Sequence, residues 1–451
     1  MKLIVVWVAP IFFMLWTFAY QLLLSLPRSK TILPIAVPTL FLWIVDTLAL
    51  QRGTWSIESG TKLGIHIWPH LEIEEAVFFL VTNAMIVMGS CAFDNAVAIL
   101  DAFPDLFPEV PGMPPPSLML RSLFTSTSEY DQDRLTGLQN ALTILAKKSR
   151  SFYLASGVFS GRLRIDLILL YGFCRVADDL IDDAASACEA ERWIGHFTVF
   201  LNTVFSKSNG PEKLEKALLP FPIQAQTILR LLPAEKLPPR PLYALLDGFR
   251  MDLDFSERST DTPPIQTEQD LEWYATCVAA TIGELCLSLV YAHDPDKRSP
   301  GAHDNRDECT QAGICMGRAL QYINIVRDVT TDAETGRCYI PNEWFTAIKQ
   351  PSTKADKEAK ILECRKRILS TAFQSYVANR DAIEELPIYA RGGIRVAVES
   401  YVEIGRVLRS RMKNNLPLDF AGGGKAGRAS VPKLRRVWVG WRTMAGRRGS
   451  P

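Results

Sequence analysis

Nine cysteines are present, yet none forms a CxxC pair, and the five histidines, His66, His70, His196, His293 and His303, show no zinc-ligand spacing. Neither a disulfide framework nor a zinc site is indicated, and the soluble part is expected in a reducing compartment. Charge of one sign is not in excess: 50 Lys and Arg face 49 Asp and Glu, a net +1. Strand-like alternation of β-branched residues is nearly absent after residue 134, which argues against a sheet there. Charge is missing altogether from Leu3 to Pro27, a run too long for a signal peptide and without its small-residue cleavage site.

That run reads as a membrane-spanning helix. Thr31 to Leu50, with Asp46 its one charge, reads as a second, and the uncharged stretch Ala76 to Phe93 as a third. An odd count puts the Arg28/Lys30 loop on the same side as everything after Phe93, and the positive-inside rule makes that side cytosolic. A chain of 451 residues also exceeds the roughly 250–300 at which a single core stops growing. A membrane region, 1–100, should therefore precede a second domain.

Pro-rich and then polar sequence over 101–134 reads as a linker. Helical spacing follows at about 135–148, 163–183, 189–207, 223–232, 239–254, 268–292, 307–332, 355–385 and 391–414. The second domain, 135–416, is expected to be all-α. In the tail, 417–451, the sequence from Ala421 on has eight basic residues and no acidic one, interleaved with Trp438 and Trp441. Its composition favours a disordered, solvated tail over a contact with anionic lipid.

The segment YGFCRVADDLIDD, Tyr171 to Asp183, carries four carboxylates within six residues of an otherwise apolar helix. Residues three, four and seven apart share a helical face, so Arg175, Asp178 and Asp182 line up, while Asp179 and Asp183 fall about 100° further round, toward the rim. A second stretch, ALQYINIVRDVTTD, repeats the design. Gln321, Asn324, Asp328 and Asp332 fall at spacings of three, four and four, with Arg327 alongside.

One charge run alone is ordinarily a solvated face. Here the flanks are apolar nearly all round, buried carboxylates are costly unless paired or metal-bound, and the spacing occurs twice. Aspartates at i and i+4 on two facing helices make a hard-oxygen cage, which suits Mg²⁺ held by one or two carboxylates plus substrate phosphate oxygens. Metal and arginine together neutralise a departing diphosphate. Neither a Walker loop nor a GxGxxG accompanies the stripes, so nucleotide phosphate chemistry is unsupported and no nucleic-acid partner is expected. A diphosphate leaving from an apolar cavity points to prenyl chemistry.

SRSFYLAS (Ser149–Ser156), YGFCRVADDLIDD, GFRMDLDF (Gly248–Phe255), YATCVAATIGE (Tyr274–Glu284) and QYINIVRDVTTDAETGRCYIP (Gln321–Pro341) occur in the order of the blocks of the squalene and phytoene synthase family. On these blocks the chain resembles that family over roughly Leu135 to Leu416. The resemblance implies an all-α isoprenoid-synthase bundle, here preceded by about three transmembrane helices. It implies Mg²⁺, or Mn²⁺, and two prenyl diphosphates held by Asp178, Asp182, Asp328 and Asp332 together with Asn324. Arg175 and Arg327 would neutralise diphosphate, Gln321 and Asn324 would complete the polar wall, and Ser151, Phe152, Tyr274 and Tyr339 would line the cavity, the two tyrosines with a catalytic part. The implied reaction joins two geranylgeranyl diphosphates through a cyclopropyl diphosphate to phytoene. Squalene synthase adds a hydride from NADPH and has an apolar C-terminal anchor; the basic tail departs from that pattern, and no NADPH is expected.

The stretch WIVDTLALQRGTWSIESGTKLGIHIWPHLEIEEAVFFLVTN (Trp43–Asn83) resembles the heterodimer-type carotenoid cyclases, which fungi fuse to phytoene synthase. Cyclising a polyene end needs a proton delivered to a double bond in an apolar site, and acidic residues at membrane depth are costly enough to be functional by default. Glu74 and Glu75 match that family's acidic pair, with Glu72, Asp46, Glu58, His66 and His70 nearby. The glutamates read equally as an interfacial cluster ahead of a spanning helix. That family has two related membrane repeats, and the sequence resembles the later one alone. Synthase activity is therefore expected ahead of cyclase activity. The alternatives are a squalene-type synthase on farnesyl diphosphate and a non-catalytic membrane assembly protein. Geranylgeranyl diphosphate, membrane lipid and other carotenoid enzymes are the expected partners.

Overall fold

Apolar residues at helical spacing, punctuated by proline, glycine and capping side chains, give eighteen α-helices and one small hairpin among the described residues. The computed structural model describes residues 6, 8–55, 63–108, 110, 112–206, 210–257, 263–294, 305–346, 353–418 and 431–446. It divides into two units, Met1–Asp131 and Gln132–Pro451.

The first unit contains α1 (Ala9–Ser25), α2 (Arg28–Gln51), β1 (His66–Trp68), β2 (Leu71–Glu72), α3 (Ile73–Ala102) and α4 (Pro116–Phe124). Pro10 opens α1, where its missing N–H costs nothing, and Pro27 caps α2. β1 and β2 pair antiparallel through a turn in which His70 takes a left-handed φ of 71°. α1 packs on α3 through Phe12, Leu15 and Phe18 around Met88 and Ala92. α2 is tied to α3 by Trp43 Nε1 donating to the Ala76 carbonyl at 3.0 Å and by Asn83 Nδ2 donating to Thr39 Oγ1 at 2.9 Å.

Among the described residues three segments are long and apolar enough to cross a membrane: α2, α3 and Glu268–Ala292. α2 and α3 contain the second and third expected spans. The first expected span, Leu3–Pro27, begins outside the described residues, and its described part holds the uncharged α1. α3 extends to 30 residues, beyond Ala76–Phe93 at both ends. Glu268–Ala292 belongs to the second unit, where the helix is apolar because bundle helices surround it. The Pro-rich stretch expected as a linker is folded: Ser122 of α4 donates to the Ala96 carbonyl of α3 at 3.3 Å, and Phe103 stacks on Tyr130 at 4.4 Å.

The second unit is all-α among its described residues. Its helices are α5 (Gln132–Lys148), α6 (Arg150–Ser156), α7 (Gly161–Asp182), α8 (Ala187–Phe205), α9 (Pro211–Leu218), α10 (Ile223–Leu229), α11 (Pro239–Glu257), α12 (Glu268–Ala275), α13 (Thr281–Ala292), α14 (Arg306–Glu334), α15 (Glu343–Thr346), α16 (Lys354–Asn379), α17 (Ile388–Lys413) and α18 (Lys433–Met444). Two cores form. Leu169, Leu170, Phe173 and Val176 of α7 pack with Phe197 and Phe200 of α8 and Leu245 and Phe249 of α11. Ile323, Ile325 and Val326 of α14 pack with Ile368, Phe373 and Tyr376 of α16 and Val402 and Leu408 of α17. Each acidic stripe thus rides on a helix whose other faces are spent on a core.

The single helix expected over 268–292 is interrupted by a π-helical turn, Thr276–Ala280. There α14 comes very close. A Cβ on Gly317 would lie 2.5 Å from the Ala279 carbonyl oxygen and 2.8 Å from Ala280 Cα, and one on Gly283 would lie 2.5 Å from the Gly313 carbonyl oxygen. Glycine is required at these crossings because backbone meets backbone, and the widened turn re-aims Val278 and Ala279 toward the interior. The tail also differs from expectation. Residues 431–446 are ordered around α18, because Val439 and Thr443 are buried on one of its faces.

Candidate active site

Seven residues N-terminal to the carboxylates, Tyr171 begins the polar stripe of α7, and Arg175 is its organiser. Arg175 Nη1 lies 2.7 Å from Asp178 Oδ2, and Nη2 bonds Asp179. Asp179 also binds Lys148 at 2.9 Å, so it is anchored between two cations and is not a free rim residue. One turn on, Asp182 Oδ1 is 2.7 Å from Arg337 Nη2. Arg337 follows the end of α14, where Gly336 takes φ 78° and the Arg337 N–H bonds the Asp332 carbonyl at 2.8 Å. A left-handed glycine at that position closes a helix and turns the chain back.

On α14 the guanidinium of Arg327 grips Asp328 by two bonds, 2.8 and 2.6 Å. Asn324 Nδ2 donates to Gln321 Oε1 at 3.1 Å, and Tyr401 of α17 donates to Asn324 Oδ1. Tyr401 stacks on Phe152 with centroids 5.3 Å apart. Phe152 is placed by the N-terminus of α6, where Ser149 Oγ accepts the Phe152 N–H at 3.4 Å.

Asp252 of α11 is buried between the two tyrosines. Tyr339 donates to its Oδ1 at 2.7 Å and Tyr274 to its Oδ2 at 3.2 Å, and the two rings stack at 4.6 Å. Burial, with Asp182 adding to it, pushes the Asp252 carboxyl up to about 7 against the pull of Arg337 and the two hydroxyls. Burial and the facing carboxylate likewise raise the Tyr339 phenol well above its ordinary value. Between 3.8, its ordinary value, and about 7 the folded chain holds a proton on Asp252 that the unfolded chain has released, so stability falls as pH rises through that window. Asp252→Asn removes the slope. The thermal midpoint of this variant, relative to the unmodified solubilised chain, should rise between pH 5 and pH 8; a difference flat in pH contradicts the buried acid.

All twelve residues singled out on this domain line one cavity of about 780 Å³: Ser151, Phe152, Arg175, Asp178, Asp182, Tyr274, Gln321, Asn324, Arg327, Asp328, Asp332 and Tyr339. Its wall also holds Lys148, Arg150, Tyr171, Asp252, Tyr401 and Arg436, which the stripe argument did not reach. A second cavity of about 260 Å³, far more apolar, shares Phe152, Val278, Ile282, Gln321, Asn324 and Tyr401 with the first. From there it follows α14 past Leu320, Met316 and Ala312 to Cys309. A polar mouth therefore opens into an apolar tunnel.

Among the described residues no three Asp, Glu, His or Cys side chains gather closely enough to hold a metal ion by themselves. Asp178, Asp182 and Asp328 each pair with an arginine. The donor set still fits a hard divalent cation. Carboxylates from α7 and α14 face one space, and burial with the neighbouring Asp182 pushes Asp178 up to about 6 despite Arg175, a crowding of negative charge that a cation relieves. Such an ion would take its remaining ligands from phosphate oxygens and water.

The first unit gathers a separate acidic group. Asp46 of α2 is buried and accepts Trp55 Nε1 at 3.1 Å, with Glu75 of α3 near it. Glu74 accepts the Leu63 N–H, and buried Glu72 lies 3.1 Å from His66 Nε2. His70 is exposed in the hairpin turn, and Glu58 lies outside the described residues.

The family model described as squalene/phytoene synthase matches residues 145–435. The chain belongs to the squalene/phytoene synthase family, a family of prenyltransferases. Its similarity extends beyond that domain. The bifunctional lycopene cyclase/phytoene synthase of Phaeosphaeria nodorum is 49% identical over 98% of this chain and 74% of its own length. The proteins of the same description from Fusarium fujikuroi (45% identity, 98% of this chain, 71% of that one) and Neurospora crassa (44%, 96% and 74%) match likewise. Among solved structures, a dehydrosqualene synthase (TM-score 0.50, 21% identity, 69% of this chain and 96% of that one) and a ligand complex of TcSQS (TM-score 0.52, 16%, 68% and 86%) share the helical fold.

Proposed function

We propose that the second unit joins two molecules of geranylgeranyl diphosphate head to head, forming phytoene and releasing two diphosphates and two protons. The observation that carries this reading is one cavity lined by both acidic stripes and continuous with an apolar tunnel. Asp178, Asp182, Asp328 and Asp332, with Asn324, would hold Mg²⁺ or Mn²⁺, which supplies charge neutralisation to the diphosphates.

The residues of this chain do the rest. Arg175, Arg327 and Arg337 already sit against the carboxylates and can turn to diphosphate oxygens as charge builds on the leaving group. Departure of the first diphosphate leaves an allylic cation. The second substrate's double bond attacks it, a proton is lost and a cyclopropyl diphosphate results; a second ionisation, rearrangement and proton loss give phytoene. Phe152, Tyr171 and Tyr401 offer ring faces to the cationic carbons, and the tunnel excludes water that would quench them. No hydride donor is required.

Purified full-length chain with Mg²⁺ should convert geranylgeranyl diphosphate to phytoene. Turnover of farnesyl diphosphate with NADPH to squalene, and none of geranylgeranyl diphosphate, contradicts the proposal.

A second reading concerns the first unit, with α1 to α3 as membrane spans and the bundle on the cytosolic side. Buried Asp46 beside Glu74 and Glu75, at the start of an apolar helix, supports proton delivery to a polyene end, the chemistry of lycopene cyclisation. Expression of the full chain in lycopene-accumulating cells should yield a cyclic carotene. Its absence would leave this unit an anchor.

A further inference from the structure

α18 is fixed to the bundle by one side. Val439 is 2% and Thr443 0% exposed, a Cβ on Gly440 would lie 3.5 Å from Leu154 and 3.9 Å from Val396, Arg435 binds Glu403 at 2.6 Å, and Arg395 donates to the Thr443 carbonyl at 3.3 Å. Partners descending from 403 to 395 as α18 ascends from 435 to 443 mean that it runs antiparallel on α17. The opposite side presents Leu434, Val437, Trp438, Trp441 and Met444, at three- and four-residue spacing and each at least 54% exposed. The two indoles stack on each other at 5.1 Å. Single exposed apolar residues are ordinary, but five on the free side of an already seated helix form a patch.

The chemistry of that patch selects its occupant. α18 has Lys433, Arg435, Arg436 and Arg442 and no acidic residue, and the sequence from Ala421 onward has none either. Indoles beside arginines suit the boundary between headgroups and acyl chains, and basic residues at its margin are drawn to anionic lipid. A protein-binding helix has no need of so one-sided a charge. The chain also brings its own membrane, since α2 and α3 are long and apolar enough to span one, and covalent linkage keeps α18 at high effective concentration beside it.

We infer that α18 lies on the membrane surface, with Leu434, Val437, Trp438, Trp441 and Met444 among the lipids and its excess of positive charge favouring an anionic surface; this rests on the membrane reading of the first unit. The consequence reaches the synthase site. Val431 and Arg436, at the start of the same segment, line the polar cavity, so the lipid contact and the cavity wall are parts of one short element. An isoprenoid diphosphate, with its chain in the bilayer and its head in the interface, is then presented beside that wall.

The full chain reconstituted in phosphatidylcholine vesicles containing phosphatidylserine tests this, with bromine on the acyl chains as a quencher of tryptophan. Emission from Trp438 and Trp441 is obtained by difference against W438F/W441F, with phytoene formation as the check on folding; either single variant gives the same readout at smaller amplitude if the double one folds poorly. The pair's emission should be quenched by brominated lipid, and more strongly with phosphatidylserine than without. Quenching by acrylamide from the water and not by bromine overturns the inference, as does shielding from both, which means a protein cover such as a second copy. Quenching that ignores phosphatidylserine overturns the anionic preference. Trp43 of α2, read in the same way through W43F, separates the two failures: a quenched Trp43 with an unquenched Trp438/Trp441 pair defeats this inference alone, and an unquenched Trp43 defeats the membrane reading beneath it.

Discussion

Asp328→Asn should lower phytoene formation by about 10³-fold while the helical content stays unchanged. Asp328 is buried, and its two oxygens accept both bonds of Arg327. Asparagine keeps the shape and one acceptor but removes the negative charge. The loss strikes twice: the polar wall of α14 is weakened as a donor set for a divalent cation, and Arg327 is left without its counter-charge before substrate arrives. Asp178→Asn should act in the same direction, since Asp178 faces the cavity from α7 and pairs with Arg175. Circular dichroism and product analysis of each purified variant separate a lost site from a lost fold. Near-normal turnover in either variant would remove the carboxylate stripes from the mechanism.

Filling the tunnel should change which substrate is accepted. Ala312→Trp should depress turnover of geranylgeranyl diphosphate about 10²-fold and that of the shorter farnesyl diphosphate much less, a difference of the size that chain length in an apolar pocket supports. Along α14 the tunnel runs from Asn324 at the polar mouth to Cys309, about 22 Å at the helical rise. Ala312 lies near the far end of that wall, so an indole there shortens the space for an isoprenoid tail without touching the aspartates. Ala312→Leu should give the same shift more weakly. Competition assays with both diphosphates read the preference, and equal losses on the two substrates would mean that the tunnel does not hold the chain.

Much of this arrangement is legible in the sequence, for local reasons. α7 and α14 are visible because their apolar positions recur at helical spacing, and the same period puts Asp178 with Asp182 and Asp328 with Asp332 on one face. Asp252 was also within reach: it follows Phe249 by three residues and Leu245 by seven on α11, a lone acid on a buried face, and such an acid needs partners. Arg337 was not, because its position depends on the turn at Gly336, and Tyr401 and Arg436 arrive from helices remote in sequence. The π-turn at Thr276–Ala280 arises from the close approach of Gly317, a tertiary contact that no periodicity reports. α18 was missed because composition weighs charge and glycine over the tail, whereas Val439 and Thr443 find a surface to bury against.

The arginine pairing of the aspartates leads to the most direct test. If the site is completed by substrate, a divalent cation should bind the full chain weakly alone and tightly with diphosphate present. Electron paramagnetic resonance of Mn²⁺, titrated with and without a non-ionising thio analogue of geranylgeranyl diphosphate, measures this. The expected result is that the analogue converts free Mn²⁺ to bound, and that Asp178→Asn or Asp328→Asn abolishes the conversion. Tight Mn²⁺ binding without the analogue, or analogue-dependent binding that survives both substitutions, would contradict the account of the two helices acting together on diphosphate.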